Sequence, residues 1–213
     1  MKKIICLLLI LVCAVACVSC GGVKKVFKIG TLETIKETVE SSAPTKIVTR
    51  TEYVGVDTLS SMYITQKDRA SGKAQFDFEY QRYATVEEMI PGGIKTVSGT
   101  VYYAADGTVS SASGESWSAD EAIGYLSESL NLEKSGFKSH ELSDSGNDLK
   151  AYVSAEDSLR VFGSNIDAEG DILLEVDTNG KYLYNVKISY TAKGTGATVV
   201  INTSYDYSLI TLD

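Results

Sequence analysis

The last third of the chain alternates apolar and polar residues so regularly that it is restricted to antiparallel strands. Residues 171–209 read DILLEVDTNGKYLYNVKISYTAKGTGATVVINTSYDYSL. Asn179-Gly180 is a strong signal for a hairpin, and KGTG at 193–196 is a second turn. The pattern predicts a meander of three strands, because connections this short join antiparallel neighbours.

The middle strand of this meander is predicted to have one apolar face. Side chains two positions apart along a strand point to the same side. The alternation therefore places five residues together: Tyr182, Tyr184, Val186, Ile188 and Tyr190. Asn185, Lys187 and Ser189 fall on the opposite side. This is the pattern of a sheet with one buried and one solvated face.

The same period of two begins much earlier, at residue 45. The segments 45–56 (TKIVTRTEYVGV) and 58–68 (TLSSMYITQKD) are rich in Thr, Val, Ile and Tyr and predict strands. In 73–84 (KAQFDFEYQRYA), Phe76, Phe78 and Tyr80 share one face, and the polar residues between them share the other. Segment 95–104 (KTVSGTVYYA) and the pair FKSHELS and DLKAYVS predict further strands.

Two short helices are predicted near the strand blocks. Leu32, Ile35 and Val39 have helical spacing, Thr31 is suited to cap the segment and Pro44 to close it, which predicts a helix over 31–42. A second short capped helix is predicted to start after Ser154, in AEDSLRVFG.

A longer helix is predicted over 119–131. The segment from Ser118 to Glu121 has the form of a capping box, and an apolar stripe follows it. Trp117 directly precedes the helix. An indole there is suited either to contact a ligand at the edge of a cavity or to staple the helix onto the sheet, and the sequence leaves both interpretations open.

Together these elements predict an α+β fold. Two blocks of antiparallel strands with a capped helix between them indicate one curved antiparallel sheet wrapped around a few short helices. Residues 31–213 are of the length expected for a single domain.

The N-terminus has the form of an export signal. Lys2-Lys3 precedes an uncharged apolar run over 4–18, which is too short to span a bilayer comfortably. The run ends in Ser19-Cys20-Gly21-Gly22, which resembles the bacterial lipobox, whose cysteine receives a diacylglycerol and becomes the new N-terminus. This predicts a lipoprotein signal peptide over 1–19, lipidation of Cys20 and a tether over 20–30. Cys17 is the second choice of site, and an ordinary secretory signal is the alternative.

Charge and cysteine content narrow the function classes. The formal net charge is −8, which is unsuited to nucleic acid because phosphates require clustered Lys and Arg. All four cysteines lie in the first 20 residues. Cleavage before Cys20 would leave no disulfide, and acyl chains on Cys20 would anchor the protein to the outer face of a bacterial membrane.

Five features follow one another along the chain: the anchor cysteine, a short helix, the strand segment APTKIVTRTEYVG, a capped helix and the closing meander. This order resembles that of bacterial lipoproteins with a half-open β-barrel, similar to the LolA-like lipoprotein-carrier fold. In that superfamily the concave sheet face holds acyl chains, and helices act as a lid. The resemblance implies that the stripe from Tyr182 to Tyr190 lines such a cavity, with Phe76, Phe78 and Tyr80 opposite.

The remaining polar residues give no catalytic or metal-binding pattern. His140 is the only histidine, and it cannot build a histidine-based zinc site alone. Glu87-Glu88 and the acidic segment DAEGD at 167–171 are interpreted as a solvated loop and an ordinary turn. Neither a P-loop nor a dinucleotide-binding pattern occurs. We therefore expect no cofactor, no metal and no enzymatic activity.

The sequence leads to two main functional expectations. The first is a membrane-anchored extracytoplasmic lipoprotein that binds a lipid or another apolar small molecule. The second is a surface interaction or structural protein with a solid core, which binds an envelope protein through an edge or loop. A hydrolase, with His140 near a serine and an aspartate, has the least support.

Overall fold

The computed structural model describes residues 30–55, 59–85, 93–114 and 130–212. These residues form one open, curved antiparallel sheet of ten strands with short helices. The strands are β1 (Lys46–Val54), β2 (Leu59–Lys67), β3 (Ala74–Tyr83), β4 (Ile94–Tyr103), β5 (Val109–Gly114), β6 (Ser139–Leu142), β7 (Asp148–Val153), β8 (Ile172–Thr178), β9 (Leu183–Thr191) and β10 (Thr198–Asp206). The sheet-rich α+β class predicted from the sequence is confirmed.

The sheet consists of two meanders joined at one seam. Its strand order is β5-β4-β3-β2-β1-β10-β9-β8-β7-β6, so all neighbours are consecutive in sequence except β1 and β10. The seam runs antiparallel from Lys46 opposite Asp206 to Val54 opposite Thr198. β5 and β6 are the two edges. The predicted turns at 179–180 and 193–196 are confirmed as the connections of the C-terminal meander.

The two short predicted helices are also confirmed. Helix α1 (Leu32–Ser41) begins with a capping box, in which the Thr31 hydroxyl accepts from the Thr34 amide and the Thr34 hydroxyl accepts from the Thr31 amide. Helix α2 (Ser158–Phe162) follows a 3₁₀ turn over Ala155–Asp157 that the Ser154 side chain caps. Another 3₁₀ turn covers Lys134–Gly136.

The longest predicted helix falls almost entirely outside the described residues. All of 119–131 except its last two residues lies outside the described residues. Neither α1 nor α2, the α-helices within the described ranges, has the length and apolar sequence needed to cross a bilayer.

One face of the sheet, which we call the apolar face, carries two hydrophobic clusters. The larger C-terminal cluster lies where α1 packs on β7, β8 and β9. Its buried members are Ile35, Leu132, Leu149, Ala151, Val153, Val161, Phe162, Ala168, Ile172, Leu174, Val176, Leu183 and Val186. The smaller Phe76 cluster lies on β3 and β4 and consists of Phe76, Phe78, Val97, Val101 and Tyr103.

Hydroxyl-bearing side chains separate the two clusters. Three threonines on the central strands lie on the apolar face: Thr49, Thr65 and Thr203. Thr65 pairs with Phe76 and Thr203 with Val186, both of which are buried on that face. Thr49 pairs with Thr203 and lies two residues from Ile47, so it is on the same face. The Thr49 and Thr203 hydroxyl oxygens are 3.1 Å apart across the seam. Threonine hydroxyls therefore lie between the two clusters on the apolar face, beside the apolar side chains of Ile47 and Tyr205.

The predicted stripe on β9 is wrong at Tyr184. Val176 pairs with Val186 and Asp177 with Asn185, but Thr178 pairs with Leu183, so a bulge interrupts the register. A bulge places an extra residue on one strand and reverses the alternation beyond it. Leu183 therefore occupies the buried position, and Tyr184 is 46% exposed on the other side.

Candidate ligand-binding site

The predicted ligand-lining residues of β3 are core residues. Phe76 is 0% and Phe78 3% exposed, and their ring centroids are 6.1 Å apart. Tyr80 is partly buried and packs on Phe78, with the two ring centroids 6.3 Å apart. These rings pack against their neighbours along β3. None of them lines the α1 cavity, which is described below.

The predicted residues of β9 divide between the core and the surface. Val186 is buried in the C-terminal cluster, and Ile188 and Tyr190 pack against it. Burial raises the pKa of the Tyr190 hydroxyl. Tyr182 precedes β9 and packs on the Tyr207 ring, with centroids 4.6 Å apart. Trp117 and the cysteines Cys17 and Cys20 lie outside the described residues.

A cavity of about 870 Å³ opens between the end of α1 and the apolar face of the seam strands. We call it the α1 cavity. Its apolar wall comes from α1, the following chain, the sheet and the start of the 130–133 segment. The apolar lining residues are Val39, Ala43, Pro44, Ile47, Leu130, Leu183 and Tyr205.

Two cations, one carboxylate and Ser42 complete the lining of the α1 cavity. Lys67 ends β2, Arg69 lies in the β2–β3 turn and Glu40 is in the last turn of α1. The Arg69 guanidinium donates to the carbonyl oxygen of Ala43. This bond ties the β2–β3 turn to the chain that leaves α1 and keeps the Arg69 guanidinium at the cavity.

Asp68, between these two cations, has its carboxylate occupied by neutral donors. It accepts from the Ser71 hydroxyl at 2.7 Å and from the amides of Ala70 at 2.8 Å and Ser71 at 3.2 Å. These hydrogen bonds lower the pKa of Asp68 from 3.8 to about 2. Asp68 therefore organises the turn as an anion.

A second cavity of about 450 Å³, which we call the Tyr103 cavity, lies on the other side of the same turn. Its lining shares Lys67 and Arg69 with the α1 cavity and adds Lys73 and Tyr103. Ala74, Ala104 and Ala105 form its small apolar wall. The β2–β3 turn thus supplies cations to two neighbouring cavities.

His140 and the acidic turn at 167–171 lie apart from these cavities, and Glu87-Glu88 lies outside the described residues. His140 is on the edge strand β6 and its ring lies 6.1 Å from that of Phe137. Asp171 forms an ion pair with Lys138 at 2.8 Å, and Asp167 lies 3.9 Å from Lys193. Within the described ranges, no group of three His, Cys, Asp or Glu side chains converges as metal ligands would.

No sequence motif marks the residues of the α1 cavity as ligand-lining. A partial signal existed, since the spacing of Val39 in α1 and the alternation of Ile47 and Tyr205 place them on apolar faces. That these faces leave space between them depends on how α1 packs against the seam. The sequence as a whole matched no protein-family model and no curated protein.

Proposed function

We propose that this chain is a lipid-anchored extracytoplasmic protein that binds an apolar or lipid-like ligand, without catalysis, in the α1 cavity. In this proposal the curved sheet is a half-open barrel, the apolar face is its concave face and α1 lies within it. The observation that carries the proposal is the 870 Å³ cavity with a mainly apolar lining.

The size and the lining of the cavity support this proposal. Small-molecule sites usually have volumes of about 300–1,000 Å³ and combine apolar walls with a few polar groups. The α1 cavity matches that description, because Lys67 and Arg69 are set beside an apolar wall. An amphiphile with an anionic head and an acyl body would satisfy both parts of this lining.

The test compares two tryptophan substitutions on adjacent residues of β1. Ile47 lines the α1 cavity, whereas Val48 points to the opposite face of the sheet. Ile47→Trp should fill part of the cavity and remove the ligand. Val48→Trp adds the same side chain outside the cavity and is the matched control.

The measurement is native mass spectrometry of the purified protein, followed by mass spectrometry of its organic extract. We expect a stoichiometric lipid on the wild type and on Val48→Trp, and its loss from Ile47→Trp. A ligand-free wild type, or equal occupancy in the two variants, would contradict the proposal. The organic extract would also identify the ligand class.

A second candidate function, binding of an envelope protein, is favoured by the edge strand β5. All six of its residues are exposed, and the sequence VSSASG contains no charge. Charged residues normally protect strand edges from pairing with other chains. A photocrosslinker placed at Ser113 should capture the partner protein. Ser111→Lys should reduce that capture, because it adds a charge to the edge. A crosslinker at Ser139, on the opposite edge of the sheet, is the control and should not capture the partner.

A further inference from the structure

Tyr103 is a buried phenol without a hydrogen-bond partner in the described part of the chain. Its side chain is 3% exposed, and its hydroxyl oxygen is enclosed with no donor or acceptor in reach. Buried polar groups are almost always paired, so an orphaned hydroxyl calls for a physical explanation. Desolvation of the same hydroxyl raises the pKa of Tyr103.

The orphaned hydroxyl belongs to a residue that lines a cavity. Tyr103 ends β4 on the apolar face, opposite Ala74 of β3. Together with Ala104 and Ala105 these residues form the apolar wall of the Tyr103 cavity. The small alanine side chains leave room for the body of a ligand about the size of an aromatic ring.

The charges of the Tyr103 cavity favour an anion. Lys67, Arg69 and Lys73 line it, and the one carboxylate among its lining residues is Asp68. The oxygens of Asp68 are already engaged by Ser71, Ala70 and Leu212. The cavity is therefore locally cationic on a chain whose net charge is −8.

We propose that the Tyr103 cavity is a binding site for a small anion with an apolar body, and that the enclosed Tyr103 hydroxyl turns towards the cavity on binding, donates to the acid group and leaves its charge to pair with Lys73. A carboxylate or a phosphate monoester has the required chemistry, since each offers acceptor oxygens and negative charge. The alanine wall contacts the apolar body. This site is distinct from the α1 cavity, which Tyr103 and Lys73 do not line.

The test is a fluorine NMR titration of the full-length protein, in an uncharged detergent, with para-fluorobenzoate as the probe. Tyr103→Phe removes the donor and keeps the ring, so affinity for the probe should fall about tenfold. Lys73→Gln alters an exposed side chain and should also weaken binding. Neither substitution alters a residue of the α1 cavity. A change in probe affinity therefore tests the Tyr103 cavity independently of ligand binding in the α1 cavity.

The matched controls are Tyr152→Phe and Lys150→Gln on β7, in the other half of the sheet. In the wild type, the Lys150 ammonium nitrogen lies 5.8 Å from the centroid of the Tyr152 ring. Both should bind the probe as the wild type does. Para-fluorophenyl phosphate replaces the carboxylate in a parallel titration, and the tighter probe identifies the acid group. Absence of saturable binding at millimolar probe, unchanged affinity in Tyr103→Phe, or equal binding of neutral para-fluorobenzyl alcohol would overturn the proposal.

Discussion

The ring of Phe78 covers Gly99 on the neighbouring strand. The two residues are opposite each other across β3 and β4. A Cβ atom built on Gly99 would lie 2.6 Å from Cζ of Phe78 and 2.6 Å from the carbonyl oxygen of Ser113. Gly99 therefore allows the Phe76 cluster and β5 to approach the backbone of β4.

Gly99→Ala should lower the free energy of unfolding by about 1–3 kcal/mol, because the added methyl overpacks this contact. Chemical denaturation measures the effect. Ser98→Ala, on the neighbouring residue and the opposite face, should change stability by less than about 0.5 kcal/mol. If Gly99→Ala were as stable as Ser98→Ala, the close approach of Phe78 would be refuted. In a Phe78→Leu background, Gly99→Ala should cost less than it does in the wild type, because the contact with Cζ of Phe78 is then absent.

Tyr103→Phe should raise the free energy of unfolding of the ligand-free protein by about 1 kcal/mol. Replacing an unpaired buried hydroxyl with hydrogen removes its desolvation cost and retains the packing of the ring. Tyr152→Phe is the matched control, with an expected change near zero. A clear loss of stability in Tyr103→Phe would show that the hydroxyl makes a hydrogen bond in the folded protein.

Asp68 should contribute stability that depends on pH. Its pKa in the folded state is lowered to about 2, below its ordinary value of 3.8, through hydrogen bonds led by Ser71. A lowered pKa means that the carboxylate stabilises the fold above pH 3.8 and that this contribution disappears as the pH falls through about 2.

Asp68→Asn should therefore be less stable than the wild type near neutral pH, and the difference should narrow in acid. Urea denaturation at a series of pH values measures it. A difference that is constant from neutral pH down to about pH 2 would contradict the assignment.

Cys20→Ala should abolish lipid attachment and release the protein from the membrane, because acyl chains on that cysteine are the predicted anchor. Metabolic labelling with a palmitate analogue and detergent phase partition measure the two effects. Cys17→Ala should leave both unchanged. Retained labelling in Cys20→Ala would move the lipidation site, and loss only in Cys17→Ala would assign it to the second choice.

Nine of the ten strands and the two turns of the C-terminal meander were predictable because their signals are local, whereas β5 (VSSASG) has no apolar alternation and was not predicted. Asn179-Gly180 specifies a hairpin, and the alternation along 74–83 places Phe76 and Phe78 on the buried face whatever surrounds them. The spacing of Ile35 and Val39 with the Thr31 cap predicted α1 for the same reason.

The bulge on β9 and the cavities were not predictable, because each depends on a partner distant in sequence. Tyr184 leaves the apolar face only because Thr178 of β8 pairs with Leu183. The α1 cavity exists because α1 packs on the C-terminal cluster while Ile47 and Tyr205 belong to the seam. Alternation indicates which face a residue occupies, but it does not indicate whether the space above that face is filled.

The seam between β1 and β10 should form late in folding. It pairs residues that are distant in sequence, such as Thr49 and Thr203, which are separated by 154 positions. All other strand pairs are consecutive in sequence. Pulsed hydrogen exchange during refolding should protect the β3 and β8 amides before those at the seam, whereas simultaneous protection would contradict this order.

With this strand order, the sheet consists of two half-sheets of five strands each. The β1–β10 ladder is the single strand pairing that joins them. Loop closure across the seam has an entropic cost that neither half bears alone. The rate-limiting event of folding would then be the docking of two preformed halves. Helix α1 would take part in that event, since it precedes β1 in sequence but packs on the strands of the other half.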